Sequence, residues 1–132
     1  MDFMPYLTFH GQAAQALTFY RSIFGGELSL NHAGELFPDA SDDVKDLIVH
    51  GTLAIPDSFT ITALDVIPGA PDVTPGNTTS MGLHLESVGK AVMLFQLLAD
   101  QGTMVLPLEQ RDWGGYFGVL TDRFGVRWNI DA

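Results

Sequence analysis

Cysteine is absent from the 132 residues. This excludes disulfides, a thiolate nucleophile and cysteine-ligated metal or iron–sulfur centres, and leaves any metal to His, Asp, Glu or Asn. Basic residues are scarce: six Lys and Arg stand against sixteen Asp and Glu, a formal net charge of −10. The nearest thing to a basic cluster is Arg111, Arg123 and Arg127, interrupted by Asp112 and Asp122. Nucleic-acid binding needs a basic stripe that releases counterions from phosphates, so no nucleic-acid partner is expected. No apolar run approaches the roughly 20 residues of a membrane-spanning helix, so no membrane partner is expected either. The opening MDFMPYLTF has no basic region ahead of an apolar stretch. Neither a secretory signal nor a transit peptide is read there, and the expected location is cytoplasmic. A GxSxG elbow and a Ser-His-Asp order are also missing.

What is present is a pattern that occurs twice. Residues 3 to 9 are aromatic and β-branched enough for a strand, with Pro5 suited to an edge or to a position whose N–H is not needed. From Gln12 to Phe24, Ala13, Ala16, Leu17, Tyr20, Ile23 and Phe24 recur at helical spacing before the stop Gly25-Gly26. ELSLNHAG then alternates, a polar segment runs from Pro38 to Asp43, and two strands are expected at about 46 to 54 and 58 to 65. The segment VIPGAPDVTPGN, 66 to 77, is rich in proline and glycine and reads as a connector. MGLHLES, a helix from Val88 to Ala99, TMVLPL, and a hairpin of YFGVLTD and VRWNI around Arg123-Phe124-Gly125 then repeat the order. The interval from Leu7 to Leu83 nearly equals that from Gly25 to Gly102, and GGELSL is echoed by QGTMVL. At this length one domain is expected, 1 to 132, with module one at 1 to 65 and module two at 78 to 132. Its class is α+β: two βαβββ modules forming curved mixed sheets, with helices on the outer face and a concave inner face for a ligand.

The segments PYLTFHGQAAQALTFYRSIFGGEL, IVHGTLAIPDSFTITALD and PLEQRDWGGYFGVLTDRFGVRWNI resemble PhnB-like proteins of the vicinal oxygen chelate superfamily, the glyoxalase, bleomycin-resistance and extradiol-dioxygenase group. The resemblance spans nearly the whole chain. It is most specific at Trp113-Gly114, Gly118, Asp122, Phe124, Gly125 and Trp128. Some relatives carry a demethylubiquinone methyltransferase name, but no glycine-rich nucleotide-binding turn is present here, so methyl transfer is not expected. The superfamily's enzymes hold a divalent metal through His or Glu. By resemblance those positions fall at or near Pro5, around Thr60 to Thr62, at Ser80 or Met81, and at Asn129. None offers imidazole or carboxylate, so no metal is expected at the shared position, and no other cofactor.

The resemblance implies a small-molecule ligand on the inner face, with Leu7, His50, Met81, Trp113, Tyr116 and Asn129 as candidate ligand-binding residues. It does not select a reaction or a catalytic residue. One alternative is a metal-dependent glyoxalase- or dioxygenase-like enzyme with its site relocated to His50 or His84. Another is a drug-sequestering protein of the bleomycin-binding type, for which a charge of −10 would favour cationic compounds. His50 matches a histidine common in the relatives. His84 faces opposite to Leu83 and Leu85, toward either pocket or solvent, and either histidine could instead be a hydrogen-bonded strand residue. His10 and His32 are expected at the surface. Trp113, Tyr116 and Phe117 form an aromatic cluster that could stack on a flat ligand or pack in the core. Arg111 could clamp an anion or pair with Asp112 in solvent. Asp65 could be an inward base or an edge cap, and Asp122 is expected to cap the turn before Gly125. The resemblance also implies a homodimer, with paired or exchanged halves.

Overall fold

The computed structural model describes residues 1–132, which divide into two compact units, Met1–Thr74 and Pro75–Ala132. No helix is long and apolar enough to cross a membrane. In the first unit β1 (Tyr6–Phe9), α1 (Ala13–Phe24), β2 (Glu27–His32), β3 (Ile48–Ala54) and β4 (Thr60–Asp65) form a sheet of order β1-β4-β3-β2. β1 runs parallel to β4 and the other pairs are antiparallel, as expected of a βαβββ module. α1 buries Ala13, Ala16, Leu17 and Tyr20 completely against a sheet face carrying Leu53, Ile61 and Ala63, also fully buried. No side chain at Gln12 caps α1. Its start is instead held from across the sheet: Asp65 Oδ1 accepts the N–H groups of Gly11 and Ala13 at 3.0 Å each, and Oδ2 accepts that of Ile48 at 2.9 Å.

Two one-turn helices, α2 (Ala33–Leu36) and α3 (Asp42–Lys45), lie where the sequence suggested a continued strand and a polar loop. The reason is tertiary. The β2–β3 register slips between Asn31 and His32, and the Ala33 N–H donates to the Leu47 carbonyl at 2.8 Å. The chain turns there to bury Ala33.

The second unit contains β5 (Met81–His84), α4 (Val88–Ala99), β6 (Thr103–Gln110), β7 (Tyr116–Thr121) and β8 (Arg127–Asp131), in sheet order β5-β8-β7-β6. Here β5 and β8 are the parallel pair. Ser87 caps α4 by accepting from the Lys90 N–H at 3.2 Å. Ala91, Phe95 and Leu98 of the helix are buried, as are Leu120, Trp128 and Ile130 of the sheet. Asp122 accepts the Phe124 and Val126 N–H groups at 2.8 and 3.0 Å and the Trp128 indole N–H at 2.9 Å. It therefore fixes the β7–β8 turn and the largest core side chain together. The echo between GGELSL and QGTMVL has a steric basis. A methyl on Gly26 would lie 2.5 Å from the Ala54 carbonyl oxygen, and one on Gly102 would overlap that of Thr121. In both units the strand after the helix passes too close to its neighbour's backbone for a Cβ.

Candidate functional site on the helix-free face

Residues paired across neighbouring strands share a sheet face, and alternate residues change face. In the first unit Leu7 pairs with Ala63 and Ala63 with Gly51. A Cβ on Gly51 would lie 2.8 Å from Leu17 of α1, so this row is on the helix-covered face. The other face carries Tyr6, Thr8, Thr62, Leu64, His50 and Thr52. Tyr6 and His50 meet there with ring centroids 6.4 Å apart. Thr62 on this face is fully buried, its hydroxyl donating to Met4 Sδ at 3.4 Å. Leu7, expected to line the cavity, instead packs toward α1.

The second unit gives the same correction twice. Met81 pairs with Trp128 and Gly118 with Ile130, on the helix-covered side. Met81 is therefore not on the helix-free face, and Tyr116 alternates onto the same side as Gly118. The helix-free face is built from Phe117, Asp131 and His84 in one row across β7, β8 and β5, with Val119, Asn129 and Gly82 in the next. His84 Nδ1 and Asp131 Oδ1 form a hydrogen bond, their side chains 74% and 49% exposed. A carboxylate only accepts, so Nδ1 carries the proton of this bond, and Nε2 is the ring nitrogen left to meet a ligand. A Cβ at Gly82 would meet nothing within 4 Å, so space lies open beside Asn129 and His84.

Trp113 forms the wall of this platform. It sits in the β6–β7 loop, 72% exposed, with its ring centroid 6.5 Å from that of Phe117 and tilted by 57°. The RDWGG segment closes on itself: Arg111 N–H donates to the Gly115 carbonyl at 2.8 Å and Gly114 N–H to the Arg111 carbonyl at 2.9 Å. Gly114 has φ +95°, and a Cβ on Gly115 would stand 2.8 Å from the Trp113 indole nitrogen. Only this glycine pair lets the indole fold over its own loop. Arg111 is committed to the scaffold. Its guanidinium donates to the Phe117 carbonyl at 3.0 and 3.2 Å, to the Pro107 carbonyl, and to Glu109 at 3.1 Å, which pins the irregular stretch of β6 and leaves no fork for an anion. Asp65 and Asp122 are likewise occupied by backbone and indole N–H groups.

The residues that the resemblance sets against the superfamily's metal ligands, at or near Pro5, around Thr60 to Thr62, at Ser80 or Met81 and at Asn129, carry no imidazole or carboxylate that fits a metal. Pro5 precedes β1 and has no donor side chain, and Met81 is turned to the helix side. Nowhere do three His, Asp or Glu side chains gather as a metal-holding group. Elsewhere His32 lies 3.7 Å from Glu35. His10 binds the Asp72 carboxylate at 2.7 Å, and this bond, aided by the Val73 N–H, holds the Asp72 carboxyl below its ordinary value of 3.8. A groove of about 520 Å³ lies between α4 and β6, lined mainly by Val92, Phe95, Met104, Pro107 and Leu108. Its carboxylate, Asp100, is paired with Arg123 at 2.9 Å. It lacks a histidine such as the helix-free face has.

The model of the Glyoxalase/Bleomycin resistance protein/Dioxygenase superfamily matches residues 5–130. Among curated relatives, Protein YjdN of Escherichia coli is 28% identical, over 100% of this chain and 95% of its own. Among solved structures, protein PA1353 from Pseudomonas aeruginosa is 34% identical with TM-score 0.84, covering 99% of this chain and 96% of that one. The PhnB protein from Bacillus cereus is 22% identical with TM-score 0.78, covering 98% of each, a likeness of fold. The chain belongs to the glyoxalase/bleomycin resistance protein/dioxygenase superfamily, and its fold is that of the PhnB-like proteins within it.

Proposed function

We propose that this protein binds a small planar organic molecule on the helix-free face of its second sheet, without a metal ion. The observation that carries the reading is the row Trp113, Phe117, Asp131, His84. An exposed indole over a phenyl ring offers a stacking wall, and an oriented imidazole with the Asn129 amide offers polar ends for a ligand. Exposed apolar surface of this kind, rimmed by polar groups, is where ligands and partners dock. Superfamily membership supports small-molecule chemistry. The neutral donors at Thr62, Met81 and Asn129 favour a metal-free mode over a relocated metal site. The test is a screen of planar aromatic compounds by quenching of Trp113 fluorescence and by thermal shift. Ligand at about 100 times its Kd adds roughly 2.7 kcal/mol of stability. Saturable quenching that disappears in Trp113→Phe, where the buried Trp128 remains, is expected. Equal quenching in both proteins would overturn the assignment.

A second reading, sequestration of cationic drugs, is favoured by the net charge of −10. It predicts that cationic aromatics bind more tightly than neutral ones of the same shape, with salt weakening only the former. A homodimer belongs to the same proposal, since α4 turns Val92, Met93 and Leu97 to solvent at 38, 55 and 44% exposure. Sedimentation equilibrium giving twice the chain mass is the expected result, and a single chain mass at all concentrations would refute it.

A further inference from the structure

Resting on that site, we infer that its ligands are planar compounds bearing an acidic hydroxyl, phenols or enols, and that binding transfers the hydroxyl proton to His84 Nε2. Three features converge. Asp131 accepts from Nδ1, which orients the ring and leaves Nε2 as the nitrogen that can take a proton, and its carboxylate lies against the imidazolium that forms. Asn129, two residues before Asp131 on the same face, carries amide N–H donors suited to an oxyanion. The aromatic wall at Trp113 and Phe117 takes the ring that makes such a hydroxyl acidic. In the step the ligand O–H bond breaks, its electron pair stays on oxygen, and an N–H bond forms at Nε2, so nothing is oxidised or reduced.

The surroundings explain why the acid enters neutral. A protein of charge −10 repels a ready-made anion at long range. A neutral phenol meets no such barrier, and the phenolate–imidazolium pair made inside leaves the net charge unchanged. The charged groups facing His84 from the adjoining strand β8 are Asp131 and Arg127. β7 presents only Phe117, Val119 and Thr121 on this face, and Glu86 follows His84 by two residues.

The probe is 4-nitrophenol, whose phenolate absorbs visibly where the neutral form does not, with 4-nitroanisole as the control that has the ring but no proton. Binding is read by Trp113 quenching and ionisation by absorbance, one pH unit below the probe's own pKa. The wild-type protein is expected to raise the ionised fraction of bound probe several-fold over free probe. His84→Gln should quench Trp113 but show no phenolate band, and Asp131→Asn should lower the ratio of ionised to neutral bound probe about tenfold, the equivalent of one pKa unit. His84 is exposed and Asp131 half-buried, and thermal melts check that the variants fold. Quenching without ionisation in wild type, or an undiminished phenolate band in His84→Gln, overturns the inference while the binding site stands. Quenching by neither probe refutes both.

Discussion

At the residue scale the acidic side chains separate by what they hold. Asp65 and Asp122 are 2% and 3% exposed and each accepts three N–H donors, so both oxygens of each carboxylate are engaged with the scaffold. Removing either strands buried donors. Asp65→Ala and Asp122→Ala should each cost about 2–4 kcal/mol in urea denaturation, the second with a shift in Trp128 emission. A loss below 1 kcal/mol would show that water replaces the carboxylate. Asp72 is the opposite case, exposed and tuned by one partner. Carbon-detected titration should place its midpoint below 3.8, and His10→Ala should move it back up. Because the folded value is depressed, the contribution of this pair is present above 3.8 and is lost as pH falls through the lower, folded value. Asp122 was legible as a cap because it precedes the turn at Gly125, whereas Asp65 stayed open between base and edge cap because its donors, Gly11, Ala13 and Ile48, are remote in sequence. The pairing of His84 with Asp131 was not legible, because it joins strands 47 residues apart.

At the scale of elements the repeated strand and helix order could be read from spacing and punctuation, and α4 runs from Val88 to Ala99 as the pattern implied. What the pattern could not supply is phase. Leu7, Met81 and Tyr116 each lie one residue from a helix-free position, next to Tyr6, Gly82 and Phe117 respectively. Strand alternation sends one residue to the helix and the next away from it, so a slip of one exchanges faces. Short strands such as β1 and β5, four residues each, carry too few alternations to fix this from sequence. The α2 and α3 turns were illegible for another reason, since the Ala33–Leu47 hydrogen bond that closes this segment joins residues remote in sequence. The phase is directly testable. Phe117→Ala should weaken ligand quenching of Trp113 about tenfold or more with a modest loss of stability, whereas Tyr116→Ala should leave ligand affinity within about twofold. The reverse order would put the site on the wrong face.

At the scale of the whole molecule, the positions that the resemblance sets against the superfamily's metal ligands, at or near Pro5, Thr60 to Thr62, Ser80 or Met81, and Asn129, carry no imidazole or carboxylate. In their place β5, β7 and β8 assemble an aromatic wall and a histidine–aspartate pair on one sheet face. The central claim is that this face binds its ligand without a metal, and titration of Trp113 fluorescence with 4-nitrophenol before and after exhaustive EDTA treatment tests it most directly. The account predicts the same Kd in both titrations, with no change on adding zinc, nickel, manganese or iron. Binding that disappears on chelation and returns with one of those ions would contradict it.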